Sequence, residues 1–142
     1  MEKIVSAVGI LVFQDKNVLL VRHKEGASHL TDTYGLPSGR IKENENEKEA
    51  AIRELQEETA LKTTIDNMVE YPSNLYHASI KRKDGEIVNF SWRVFIVKDF
   101  SGKPKESEET NPEWVNVNQL ESYNLLPNVS RAVQDGLKFI RR

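Results

Sequence analysis

The chain has 142 residues, a formal net charge of −2 and no cysteine. The near-balanced charge argues against a general nucleic-acid binder, which usually carries a basic excess or stripe. The lack of cysteine excludes disulfides and thiolate metal sites, and the length predicts a single domain over residues 1–142 with one buried core.

The first predicted elements are two apolar β strands. Residues 3–13 and 17–22 are rich in β-branched residues, and the polar stretch QDKN between them predicts a hairpin. The N-terminal run lacks the layout of a signal peptide, and no apolar run approaches the roughly 18 residues of a membrane span. We therefore expect a cytoplasmic protein without a membrane partner. A polar loop is predicted over residues 24–33.

The rest of the chain predicts two helices and three more strands. Residues 46–59 read as a helix, and Asp84-Gly85 marks a tight turn between two strands because this pair suits a positive φ. The acidic loop SGKPKESEETNP precedes a short strand, EWVNV, and a final helix is predicted behind Pro127. Together these elements predict a mixed α/β fold in which a sheet lies between helices.

Three carboxylates of the first predicted helix form a cluster. Glu54, Glu57 and Glu58 fall within roughly 100° of one another on a helical wheel, so their charges repel. Apolar residues such as Leu55 occupy the adjoining arc, which places the carboxylates at the edge of the core. A hard divalent cation, which takes oxygen ligands, would turn this repulsion into chelation. A solvated acidic face is the alternative.

The segment before this helix, YGLPSGR, joins a rigid proline to a permissive glycine. Pro37 and Gly39 predict either a close approach of the backbone to a phosphate or metal ion, or an ordinary turn. This stretch alone does not distinguish the two interpretations.

Together these residues resemble the Nudix box, Gly-x5-Glu-x7-Arg-Glu-U-x-Glu-Glu-x-Gly-U, in which U is a bulky aliphatic residue. Every defined position matches except one, where Ala60 replaces glycine. The matching residues are Gly39, Glu45, Arg53, Glu54, Leu55, Glu57, Glu58 and Leu61. The resemblance extends through the flanking strands to PEWVNVNQL. It implies the Nudix α/β/α sandwich, with a mixed β sheet between helices.

The resemblance also implies roles for the matched side chains. Glu54, Glu57 and Glu58 correspond to ligands of a divalent metal ion, Mg²⁺ in most members, with Mn²⁺ as the alternative. Glu54 also corresponds to the general base proposed for MutT-like members. Arg53 corresponds to a residue that orients the helix and its carboxylates, paired with Glu45.

A further metal ligand is expected from the acidic loop before Trp114. Glu109 is the preferred candidate and Glu108 the competing one, because MutT-like members often place a metal-linked glutamate in this loop. In some branches of the family the general base also comes from a loop, so the choice between Glu54 and a loop residue stays open.

Four positions depart from the usual pattern of the family. Ala60 either ends the helix in the left-handed conformation that glycine tolerates better, or lets the helix run one residue further. Ser38 replaces a glycine, and Lys42 replaces a common glutamate. Asn44 stands where glycine is usual, and asparagine is the next best residue for a positive φ.

Five residues are candidates for substrate binding, each with a structural alternative. Arg22 and His23 end the second strand and are expected either to meet phosphate or base or to face solvent. Leu36 is expected to line a base pocket, and Gly39 either brings the backbone close to a phosphate or metal ion or forms an ordinary turn. Asn128 resembles a base-reading asparagine before the last helix, and its amide suits a purine edge; the alternative is an N-cap.

The implied reaction is hydrolysis of a small-molecule nucleotide. The N-terminal half is most similar to MutT-type pyrophosphatases, so we expect a nucleoside triphosphate, with oxidised dGTP as one candidate, to yield the monophosphate and pyrophosphate. Two alternatives stay open: ADP-ribose or a dinucleoside polyphosphate as the substrate, and a nucleotide-sensing domain that binds without hydrolysis. The sequence also leaves the choice between a monomer and a homodimer open.

Overall fold

The computed structural model describes residues 4–141. Within this range the chain forms nine β strands, two α helices and two short 3₁₀ helices. In chain order they are β1 Ile4–Leu11, β2 Phe13–Gln14, β3 Asn17–His23, β4 Tyr34–Gly35, β5 Ser38–Arg40, α1 Glu47–Thr59, a 3₁₀ helix Ile65–Asn67, β6 Met68–Val69, β7 Leu75–Lys81, β8 Ile87–Val97, β9 Thr110–Asn116, a second 3₁₀ helix Val117–Ser122, and α2 Val129–Ile140.

The strands form two sheets. In the five-stranded sheet the order is β5-β1-β8-β6, and β7 also pairs with β8. Strands β1 and β8 run parallel while the other pairs are antiparallel, so this sheet is mixed. The four-stranded sheet has the order β2-β3-β4, with β9 also paired to β3, and it is antiparallel throughout.

The two helices bury opposite faces of the central strand β1. Successive side chains of a strand point to opposite faces, and here the two sets join different apolar clusters. Val8 and Ile10 pack in one cluster with Leu55 of α1, whereas Leu11 packs in the other with Val133 of α2. The two helices therefore lie on opposite sides of the sheet that contains β1, and the predicted α/β/α sandwich is confirmed.

Helix α1 begins at a capping box and ends at a left-handed residue. The Asn46 side chain accepts from the Glu49 N–H, and the Glu49 side chain accepts from the Asn46 N–H. At the other end Ala60 has a φ of 69°, and its N–H donates to the Gln56 carbonyl. The predicted helix is confirmed, but it stops at Thr59 and does not run one residue further.

Two of the local predictions need correction. The predicted hairpin between residues 3–13 and 17–22 is present only at its tip, where β2 pairs with β3. Strand β1 joins the other sheet instead, since β8 and β5 provide long-range partners that no local pattern reveals. Strand β9 begins at Thr110, inside the predicted acidic loop, because Asn111 and Pro112 pair with β3.

Helix α2 packs closely against β1. It begins at Val129, shortly after Pro127, as predicted. A Cβ atom on Gly136 would lie 2.5 Å from Leu11 Cδ1, so the bare glycine permits the close packing. None of the helices among residues 4–141 is both long and apolar enough to cross a membrane.

Candidate active site

A cavity of about 280 Å³ lies beside the acidic face of α1. Its lining includes four carboxylates, a group that we call the carboxylate end: Glu54, Glu57, Glu58 and Glu109. The lining also includes a group of aromatic, apolar and basic side chains, which we call the aromatic end: His23, His29, Ile80, Arg82, Phe90, Trp92 and Leu126. Leu36 and Gly39 also line the cavity.

Strand β5 lies directly over the acidic face of α1. The Ser38 N–H donates a 2.7 Å hydrogen bond to Glu58 Oε1. The Cα of Gly39 lies against the Glu54 carboxyl group, and a Cβ there would overlap that group. Glycine at position 39 therefore leaves room for the Glu54 carboxyl group where it stands, which is a steric reason separate from any contact with substrate.

Arg53 binds the carboxylates from outside the cavity. Its Nε and Nη2 donate to both oxygens of Glu45, at 2.7 and 2.8 Å, and Nη2 also donates to the Arg40 carbonyl at 2.9 Å. Its Nη1 donates to Glu54 at 2.6 Å and to Glu57 at 3.2 Å. The expected Arg53–Glu45 pair is thus present, and it fixes the guanidinium behind two of the carboxylates.

This network separates two kinds of carboxylate. The hydrogen bond from Arg53 lowers the pKa of Glu45 to about 2. Burial raises the pKa of Glu54 despite its bond to Arg53. Burial, together with the nearby charges of Glu54, Glu109 and Glu57, raises the pKa of Glu58 to about 8. Glu58 is therefore the carboxylate whose charge is least compensated by the protein.

The carboxylate end has the chemistry that suits a divalent cation. Oxygen ligands with uncompensated charge favour Mg²⁺ or Mn²⁺. Among residues 4–141, however, no three acidic or histidine side chains converge as they stand on one point suited to an ion. Glu54 and Glu57 turn toward Arg53 instead. The Glu57 side chain is 53% exposed, so it can rotate at little cost, whereas that of Glu54 is 12% exposed.

The loop that carries Glu109 is held at three points. The Lys24 N–H donates to the Glu109 carbonyl at 2.8 Å, and the Lys105 N–H donates to the Thr59 carbonyl at 2.9 Å. The Thr110 hydroxyl donates to the Glu58 carbonyl at 3.1 Å. Of the two candidates in this loop, Glu109 lines the cavity and Glu108 does not, and the Glu108 backbone packs against Gly26.

His23 and His29 meet at the aromatic end. Their rings are 4.7 Å apart in an edge-on arrangement, and His29 also faces Phe90 at 6.3 Å. His23 Nδ1 donates to the Thr33 carbonyl at 2.9 Å. Burial lowers the pKa of His23 and lowers that of His29 to about 4, so both rings are neutral at neutral pH.

Arg22 and Asn128 do not reach the cavity lining. Arg22 pairs with Asp32 at 3.0 Å and with Glu113 at 3.4 Å. Asn128 stands at the N-cap of α2 with a φ of 68°, but its side chain makes no capping hydrogen bond. Its Nδ2 donates to the His77 carbonyl at 2.6 Å instead. Arg22 therefore forms an ion pair and Asn128 joins α2 to β7, and their expected contacts with phosphate and base stay predictions.

The sequence analysis did not single out Arg82 and Phe90 as site residues. With Ile80 and Trp92 they lie on the β7–β8 arm, and all four line the cavity. These are even-numbered positions on paired antiparallel strands, where alternate residues share a face. The Asp84-Gly85 turn together with this alternation was the signal that places them on one surface.

Comparisons with known proteins agree with this arrangement. The family model of the NUDIX domain matches residues 3–136. An oxidized purine nucleoside triphosphate hydrolase of Mus musculus is 30% identical over 122 residues, covering 85% of this chain and 72% of that protein. Nudix hydrolase 6 of Arabidopsis thaliana is 30% identical over 101 residues and covers 58% of this chain, which spans 36% of that relative's length.

The fold agrees with solved structures as well. A MutT protein from Methanosarcina mazei Go1 superposes with a TM-score of 0.75. The alignment covers 99% of this chain and 95% of that chain, at 22% sequence identity. At this identity the likeness establishes the fold.

Proposed function

The chain belongs to the NUDIX family of hydrolases, and on that premise we propose that it hydrolyses a nucleoside triphosphate to the monophosphate and pyrophosphate with a divalent cation. The observation that carries the proposal is the cavity itself. Its carboxylate end suits metal-bound phosphates, and its aromatic end suits a nucleobase. The name of the mouse relative supports an oxidised purine nucleotide as the substrate.

Four side chains are proposed to hold the cation: Glu54, Glu57, Glu58 and Glu109. When bound, Mg²⁺ would neutralise the phosphate oxygens and lower the pKa of a water molecule bound to it, and Mn²⁺ is the alternative ion. The protein provides the acidic ligands on a rigid helix, which fixes their spacing. Glu57 leaves Arg53 Nη1 to take part, a rotation that its exposure allows.

Glu54 is proposed to accept the proton of the attacking water. Its burial raises its pKa above that of an ordinary glutamate, which strengthens it as a base, and the bond from Arg53 opposes that shift. Arg53 is a positioning residue, because it contacts Glu54 and Glu45 and lies outside the cavity lining. Water attack on phosphorus then releases the monophosphate and pyrophosphate.

The test is product release from a panel of nucleotides, with and without Mg²⁺. The panel holds normal and oxidised nucleoside triphosphates, ADP-ribose and diadenosine polyphosphates. We expect a triphosphate to be the best substrate and activity to require the cation. Glu57→Gln and Glu58→Gln should each lower kcat/KM by about 10²- to 10³-fold. Glu43→Gln is the matched control because Glu43 is exposed and lies outside the cavity.

Other outcomes of this panel separate the alternatives. A preference for ADP-ribose or a diadenosine polyphosphate would replace the proposed substrate and leave the metal chemistry intact. Full activity of both glutamine variants would overturn the metal site. That the chain acts as one domain, in the cytoplasm, is part of the same proposal.

A further inference from the structure

Thr110 directly follows Glu109 in the chain, and its hydroxyl joins the acidic loop to the end of α1. The residue is buried, with 1% of its surface exposed. Its Oγ1 donates to the Glu58 carbonyl at 3.1 Å and lies 2.9 Å from Ser107 Oγ. Both neighbours of this hydroxyl are groups of the protein, so its hydrogen bonds are satisfied without a substrate.

The acidic loop supplies partners for the last carbonyls of α1. The final turn of a helix leaves backbone carbonyls that have no partner within the helix. Here the Glu58 carbonyl accepts from Thr110, and the Thr59 carbonyl accepts from the Lys105 N–H at 2.9 Å. The loop that carries Glu109 is therefore docked on the same turn of α1 that carries Glu58.

A turn closed by Ser107 holds the loop at Thr110. The Ser107 N–H donates to the Thr110 carbonyl at 2.8 Å, and the Thr110 N–H donates to Ser107 Oγ at 3.0 Å. Lys24 binds the loop as well: its Nζ donates to the Ser107 carbonyl at 2.9 Å, and its N–H donates to the Glu109 carbonyl at 2.8 Å. The backbone of Glu109 is thus fixed by hydrogen bonds on both sides.

The bond from Thr110 to α1 links two groups of proposed metal ligands. Glu54, Glu57 and Glu58 share one helix, which fixes their spacing. Glu109 comes from a distant segment, so its distance from them depends on how the loop is docked. Thr110 is covalently joined to Glu109, and its hydroxyl binds the backbone of Glu58 itself. This is a shorter link between the two ligands than the one through Lys105.

We propose that Thr110 is a positioning residue, whose hydroxyl holds Glu109 at the distance from Glu58 that a shared divalent cation requires. The inference rests on the proposed function, because it takes the carboxylates as metal ligands, and it deepens that function by naming what sets their spacing. Removal of a group that orients metal ligands typically lowers affinity by about 10- to 100-fold. Thr110 acts through the backbone, so we expect the lower part of that range.

The test is titration calorimetry of Mn²⁺ into nucleotide-free protein, which does not depend on turnover. Thr110→Val keeps the branched shape and removes the hydroxyl, so it should bind Mn²⁺ about tenfold more weakly than wild type. Thr110→Ser keeps the hydroxyl and should bind within about twofold of wild type. Thr63→Val is the matched control, because the Thr63 hydroxyl also donates to a backbone carbonyl, at 2.7 Å, but lies outside the cavity lining.

A double substitution separates positioning from a general loss of structure. If Thr110 acts by placing Glu109, Thr110→Val should change Mn²⁺ affinity by less than about twofold once Glu109→Gln has removed that ligand. A purely structural role would weaken binding by the same factor in both backgrounds, because independent effects add. Thermal unfolding in a metal chelator checks that each variant is folded at the temperature of the titration.

Ser107→Ala carries the same test if Thr110→Val does not fold. It removes the hydroxyl that accepts from the Thr110 N–H and lies beside Thr110 Oγ1. We expect weaker Mn²⁺ binding than in wild type, and no further loss when Ser107→Ala is combined with Glu109→Gln.

The possible failures separate this inference from the proposed function. Wild-type affinity in Thr110→Val, or an equal loss with and without Glu109, would overturn the inference and leave the metal site intact. The same holds if Thr110→Ser binds as weakly as Thr110→Val, since serine keeps the hydroxyl. If wild type binds no Mn²⁺, the metal site and the inference are both overturned.

Discussion

The two ends of the cavity differ in how far the protein satisfies its own polar groups. At the carboxylate end Arg53 binds Glu45, Glu54 and Glu57, and the Ser38 N–H binds Glu58. At the aromatic end the Nε of Arg82 has no partner within residues 4–141. One end is organised by internal contacts and excess negative charge, and the other contains a buried donor without an internal partner. Chemistry and selectivity are therefore expected to respond to different substitutions.

The largest expected effect comes from breaking the carboxylate end at Glu58. Glu58→Gln should lower kcat/KM by about 10²- to 10³-fold, the scale of several kcal/mol of transition-state stabilisation. The same change should raise the melting temperature of the metal-free protein. A neutral amide removes the cost of burying a charge and the repulsion from Glu54, Glu57 and Glu109, and its oxygen can still accept from the Ser38 N–H.

Steady-state kinetics and thermal unfolding in a metal chelator check this pair of effects. Glu43→Gln, on the exposed stretch before α1, should change neither quantity. A Glu58→Gln variant that loses both activity and stability would indicate that the carboxylate stabilises the fold. That result would contradict the account of the carboxylate end as a site with excess negative charge.

A smaller effect is expected from the pair that organises the carboxylate end. The pKa of Glu45 is held at about 2, below its ordinary 4.5. A carboxyl group whose pKa is lower in the folded state stabilises that state at any pH above its pKa in the unfolded chain. This contribution is lost as the pH falls from about 4.5 to about 2. Glu45→Gln should lower the free energy of unfolding by about 1–3 kcal/mol at pH 7, the range for a hydrogen bond to a charged group.

The measurement for Glu45 is the melting temperature as a function of pH. The difference between wild type and Glu45→Gln should be largest near neutral pH and shrink toward pH 2. A difference that stays constant over this range would show that the ionised form of Glu45 is not the stabilising one.

The smallest effect concerns the end of α1. Ala60 has a φ of 69°, a conformation that costs an alanine about 1–2 kcal/mol. Ala60→Gly should therefore stabilise the protein by about 1 kcal/mol, measured by urea unfolding, with hydrolysis unchanged. Asn44 has a similar φ of 65° but tolerates it better. Asn44→Gly should be nearly neutral, and equal effects of the two variants would contradict this explanation.

Sequence reasoning reached the carboxylate end because its determinants are local. The cap at Asn46 and the spacing of Glu54, Glu57 and Glu58 both lie within one helix, where periodicity fixes which side chains share a face. The pairing of Arg53 with Glu45 spans eight residues and followed from the family resemblance. The fold class followed from the order of the elements.

The aromatic end was reached only in part, at His23, because its other determinants are tertiary. The position of Arg82 depends on the docking of the β7–β8 arm onto the loop of residues 24–33. The bond from the Asn128 amide to the His77 carbonyl of β7 likewise joins segments that are far apart in the chain. Strand β1 fits a local hairpin by pattern, yet β8 and β5 bind it instead. No local pattern encodes these long-range partners.

The central claim is that the four carboxylates at one end of the cavity bind a divalent cation. Titration calorimetry with Mn²⁺ and Mg²⁺ on wild type, Glu57→Gln and Glu43→Gln, without nucleotide, tests it most directly. The account predicts saturable binding to wild type and Glu43→Gln, with affinity at least about tenfold weaker for Glu57→Gln. Equal binding by all three proteins, or none by wild type, would contradict it.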